Sequence, residues 1–162
     1  MQNPPPASDL LSELASFRDF AAFILADSRR DWDFRPTVEE WSLTEIACHL
    51  RDVEREVHQS RLRALLREEG AFLPGVDADE WAIPRNYRGQ VGRAALAGFV
   101  IAREETIALL APLPGDLWER RGQHTFFGPT SMQELVYLAV QHDRVHARQI
   151  EMLYQGQQGL EK

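Results

Sequence analysis

The chain has 162 residues, 44% of them hydrophobic and 27% charged, the balance of one globular domain long enough to bury a core. Its 25 acidic against 18 basic residues leave a net charge of -7, the wrong sign for a general nucleic-acid-binding face. No run approaches the roughly 20 apolar residues of a membrane span, the first ten residues lack the pattern of a signal peptide, and a single cysteine, Cys48, allows no internal disulfide, so a cytoplasmic protein is expected.

Helical spacing recurs along the chain, and no strand alternation does. It predicts a first helix from Ser8 or Asp9 to about Ser28, with Leu10, Leu14, Phe17, Ala21 and Ile24 on one face. Residues 1–7 and 156–162 read as loose tails. Residues 29–41 form a connector, because Pro36 disfavours helix at Arg35. Ser42-Leu43-Thr44-Glu45 is a capping box. It opens a second helix over 43–68, with an inner stripe of Leu43, Ile46, Leu50, Val53 and Val57, closed by Gly70.

The stretch 70–90 holds Pro74, Gly75, Pro84 and Gly89 and reads as a long connection with a short helical turn near Asp77–Trp81. A third helix over 91–111 uses Leu96, Val100, Ile107 and Leu110 and stops at Pro112. Its first half is apolar on more than one side, through Ala94, Ala95, Phe99 and Ile101, which suggests a homodimer through that helix. A second long loop, 112–130, carries Trp118, His124 and a turn at Phe126-Phe127-Gly128-Pro129. A second capping box, Ser131 to Glu134, opens a last helix ending near Tyr154. Four amphipathic helices with two long links predict an all-α fold, a single-domain four-helix bundle with long crossover connections.

Three histidines carry the chemistry. His142 and His146 are spaced i, i+4 on the apolar stripe of the last helix, so both rings can reach one metal ion. His49 faces inward on the second helix, about 60° from Ile46 and about 40° from Val53. If those helices run antiparallel, the three side chains meet at one height. Three protein nitrogens leave a coordination position open, as a catalytic ion requires. His58, nine residues past His49, falls about 180° around an α-helix and is expected at the surface. His124 sits in a loop, where it is an ordinary loop residue or lines the mouth of a pocket. Cys48, next to His49, diverges by about 100° and reads as a small buried filler.

Near-miss motifs do not fit. His142-Asp143-Arg144-Val145-His146 has an aspartate where the zincin helix has glutamate. The di-iron bundle needs two Glu-x-x-His motifs, and only Asp143-x-x-His146 stands in that register.

The chain resembles the DinB-like, YfiT-related superfamily of metal-binding four-helix bundles. The resemblance rests on Arg35-Pro36, on the block from Trp41 through His49-Leu50 with Asp52 and Glu54, and on Arg103-Glu104-Glu105-Thr106. It continues through Gly128 to Leu135 and closes on His142, His146 and Gln149-Ile150. It implies one divalent ion, zinc or nickel, held by His49, His142 and His146. It also implies a small-molecule substrate and a thiol-dependent transferase or isomerase activity with a low-molecular-weight thiol as cosubstrate. The alternatives are a metal-dependent hydrolase and a non-catalytic metal-binding protein of the stress response. Asp52, Glu54, His124, Arg144 and Arg148 are candidates for contacts behind the ligands or to substrate.

Overall fold

Apolar stripes at helical spacing form four long helical segments in the computed structural model, which describes residues 3–160. The first, α1, spans Ala7–Ala26, and the five residues read as its inner face are its buried ones. The outermost ends of the two expected tails, residues 1–2 and 161–162, lie outside the described residues.

The second segment starts at the predicted capping box. Ser42 Oγ accepts from the Glu45 N–H at 3.3 Å, and the Glu45 carboxylate accepts from the Ser42 N–H at 2.9 Å. It begins as α2, Leu43–Val53, passes through a π-helical turn at Glu54–His58, and continues as α3, Gln59–Arg67. Gly70 follows with φ 78°, a left-handed conformation that glycine adopts without strain. The helix α4 spans Gly92–Leu110. After a short α5, Gly115–Glu119, the last helix α6 runs over Met132–Leu160, through Gly156 and past the expected end at Tyr154. Its capping box also forms, with Ser131 N–H donating to Glu134 at 2.7 Å and Glu134 N–H to Ser131 Oγ at 3.1 Å.

Cyclic order places the connections. The α4 helix packs against both α1 and α2, while α6 packs against α1 and the α2–α3 segment. So α1 and α2 stand on opposite corners, and so do α4 and α6. The connectors that cross the bundle are therefore 27–42 and 111–131, whereas the long stretch 68–91 joins neighbours. Phe17, Ile46, Phe99 and Ile150 meet in one half of the core, and Leu14, Leu65, Leu110 and Met132 in the other. The start of α2 thus lies beside the end of α6, the antiparallel pairing that the histidine heights require. The apolar circumference of α4 is largely spent on α1 and α2, leaving Val91, Ala94 and Ile101 outward.

The loops hold a small sheet that hydrophobic patterning does not reveal. Phe72–Leu73 (β1) pairs in parallel with Arg121–His124 (β2), which pairs antiparallel with Gly128–Ser131 (β3). Burial alternates along β2, but its two buried positions are Gly122 and His124, so no apolar period appears. No described helix is long and apolar enough to cross a membrane.

Candidate metal centre

His49 projects from the second turn of α2, and His142 and His146 project from the middle of α6. Their Nε2 atoms converge: His142 lies 3.0 Å from His49 and 3.1 Å from His146. One donor nitrogen from each ring lies within 4.8 Å of the others. Nitrogens about 2.0–2.1 Å from a shared tetrahedral ion stand about 3.3 Å apart, so the trio has the spacing of a ligand set.

Protonation favours the same reading. Burial pushes His49 and His146 down to about 4 and His142 well below its usual value, so all three rings are neutral at pH 7 with lone pairs available. The tautomer of His146 is fixed from behind: its Nδ1–H donates to Gln149 Oε1 at 2.7 Å, which leaves Nε2 bare. His49 is oriented by the Trp41 ring, 5.0 Å away between centroids. The His58 ring packs edge to face with the His142 ring, centroids 5.5 Å apart, and supports it.

That contact corrects the placement of His58. It is half-buried, and its Nε2 is shielded from solvent without a hydrogen-bond partner. The π-helical turn explains the difference, because one extra residue in the turn takes up about 100° of rotation. His58 then falls about 80° from His49, on the inner side.

A cavity of about 420 Å³ opens over the histidines. Its walls include Trp41, Ile46, Val145, Met152 and Leu153. Its charged residues are Glu39, Glu40 and Asp79, and among the described residues no lysine or arginine lines it. Asp79 stands nearest the trio, with Oδ1 3.8 Å from His49 Nε2.

The five other candidates lie away from this cavity. Asp52 is buried and accepts from Arg51 at 2.7 Å, Arg85 at 3.0 Å and the Tyr87 hydroxyl at 2.9 Å. Burial works to raise its pKa, but those hydrogen bonds hold it below the usual carboxylate value. Glu54 accepts from Arg103 at 2.8 Å and from Thr106 at 2.5 Å in the core. His124 is buried on β2, stacks on Phe127, and accepts the Phe126 N–H at 3.2 Å. Arg144 pairs with Glu13 at 2.6 Å on the outer face, and Arg148 is exposed. Cys48 is fully buried, and burial raises its thiol to about 11, consistent with an inert filler.

The sequence assigns no site role to Asp79 or Trp41 and does not pair Arg103 with Asp143. Trp41 and Arg103 stand in the blocks that carry the family resemblance, and Asp79 in the short helical turn expected near Asp77–Trp81. No spacing rule ties that turn to the histidines.

These features define a four-helix bundle with a three-histidine cluster at the floor of a cavity between α2 and α6. The model of the DinB superfamily matches residues 4–150, and the chain belongs to that superfamily. Among solved structures it is similar to YfiT from Bacillus subtilis, described as a probable metal-dependent hydrolase with an unusual four-helix bundle topology. That match has a TM-score of 0.72 at 20% identity and covers 91% of this chain and 83% of the other. No curated protein matches the chain.

Proposed function

We propose that the protein is a metal-dependent enzyme acting on a small molecule, with one divalent ion held by His49, His142 and His146. The observation that carries this reading is the convergence of three neutral imidazoles, two buried and His142 half-buried, at the floor of an open cavity. A structural zinc ordinarily has four protein ligands, whereas three leave a position for chemistry. A bound ion of this kind supplies Lewis acidity, which lowers the pKa of a coordinated water or thiol toward neutrality.

The residues of the chain divide the remaining work. Gln149 keeps the proton of His146 on Nδ1, and Trp41 and His58 hold the other two rings. The apolar wall formed by Ile46, Val145, Met152 and Leu153 excludes water from one side of the cavity and fits an uncharged part of a substrate. Glu39, Glu40 and Asp79 give the mouth a negative charge with no basic residue among the described lining residues to offset it. A carboxylate-bearing thiol would find no side-chain counter-ion there. Hydrolysis, with water as the nucleophile, therefore fits the cavity better than the thiol transfer that the sequence resemblance puts first. YfiT, a probable metal-dependent hydrolase, points the same way.

Elemental analysis of untagged protein tests the metal: one zinc or nickel per chain is expected, lost in His142→Ala and His146→Ala. Retention of the ion in both variants would remove the proposed site. A panel of small esters, amides and thiol-dependent reactions, with and without chelation, then separates the chemistries. Turnover confined to reactions that need an added thiol would overturn the hydrolytic reading.

A further inference from the structure

Asp79 is the carboxylate of this cavity that stands beside the three histidines. Its carboxylate is 80% exposed, yet Oδ1 lies 3.8 Å from His49 Nε2, itself 3.0 Å from His142 Nε2. A carboxylate oxygen and two imidazole nitrogens thus face a common space. No described lysine or arginine pairs with Asp79. With the ring protons on Nδ1, three electron pairs face one another there, an arrangement that a bound cation would relieve.

The approach of Asp79 is built into the fold. It begins a short 3-10 helix, Asp79–Trp81, and its N–H donates to Asp77 Oδ1 at 3.3 Å. Two residues on, the Trp81 ring lies 3.9 Å under the guanidinium of Arg85. Arg85 in turn grips Asp52 at 3.0 Å and Glu56 at 2.6 and 2.9 Å. Asp52 is one helical turn from His49 on α2. The same stretch of helix thus supplies a histidine and, through Asp52 and Arg85, anchors the turn that carries the carboxylate.

We propose that Asp79 is a fourth, exchangeable protein ligand, brought by the 77–82 turn to the position that His49, His142 and His146 leave open. The proposal rests on the metal-site reading above. Two donors on one tetrahedral ion stand about 3.3 Å apart, so 3.8 Å requires a movement of about half an ångström, within reach of an exposed side chain. Exposure also lets the carboxylate leave when another ligand arrives, which keeps the site compatible with turnover.

Cobalt-loaded protein tests this without any substrate. Asp79→Ala is expected to change the visible d–d absorption and to weaken retention against a chelator by at least about tenfold. Added acetate is expected to restore the parent spectrum. Glu80→Ala removes the same charge from the neighbouring residue and is expected to leave spectrum and retention unchanged. Equal retention and an unchanged spectrum in Asp79→Ala would overturn the proposal, as would a matching loss in Glu80→Ala, which would mean a diffuse charge effect. A parent protein that binds no cobalt would overturn the three-histidine reading as well, so the two failures are told apart by the parent alone.

Discussion

A ring that offers Nε2 to an ion must be held by contacts elsewhere. At His146 the contact is a hydrogen bond to Gln149, and at His142 it is edge-to-face packing with the His58 ring. His58 performs this at a cost, because its shielded Nε2 has no partner. His58→Phe keeps a ring of similar shape and removes the orphaned nitrogen, so it is expected to match or exceed the parent in stability. His58→Ala removes the support and leaves a cavity beside Leu62 and Ala139, and is expected to lose about 1–3 kcal/mol. Urea denaturation of the metal-free proteins measures both. An unchanged His58→Ala would restore the surface placement that nine-residue spacing implies for an uninterrupted α-helix. At this scale the three converging histidines were legible because each sits on an apolar stripe. His58 was not, since nothing in Glu54-Arg55-Glu56-Val57-His58 announces a π-helical turn.

Among the elements, the π-helical turn meets α4 and α6 through a buried ionic group. Arg103 on α4 donates to Glu54 at 2.8 Å and to Asp143 at 2.5 and 3.0 Å, with all three residues almost wholly buried. Burial raises the Asp143 carboxyl to about 6, still below neutrality, while Arg103 outweighs burial at Glu54 and holds it below its usual value. Both carboxylates are therefore ionised at pH 7 and depend on one guanidinium. Asp143 directly follows His142, so this group also fixes the height of α6 against α2. Arg103→Met would strand two buried anions, and a loss of about 3–5 kcal/mol is expected in thermal or chemical unfolding. A loss below about 1 kcal/mol would mean that water reaches the carboxylates in the variant. Helices and capping boxes were readable because their signals are local. The triad was not, because its members lie 40 and 49 residues apart in sequence.

For the whole molecule, periodicity identified the four helices but not their cyclic order. The connectors at 27–42 and 111–131 cross the bundle for reasons of packing between distant faces, which no single segment records. One consequence of that packing is acid sensitivity. His49, His58 and His146 are each lowered by burial from 6.5 to about 4, and His142 is held well below its usual value. The unfolded chain therefore binds more protons than the folded one between about pH 6.5 and 4. Stability present above pH 6.5 is lost as the pH falls through that window, by about 1.4 kcal/mol per unit for each such histidine. Asp143, raised from 3.8 to about 6, acts in the opposite sense and offsets about one of them. The net expectation is a metal-free protein markedly weaker at pH 5 than at pH 7, with a smaller difference in His58→Phe, which removes one of the contributing groups. Urea midpoints at the two pH values measure this. Equal midpoints for the parent would show that the histidines titrate freely in the folded state, and the cluster would then lack the buried, neutral imidazoles on which its metal chemistry depends.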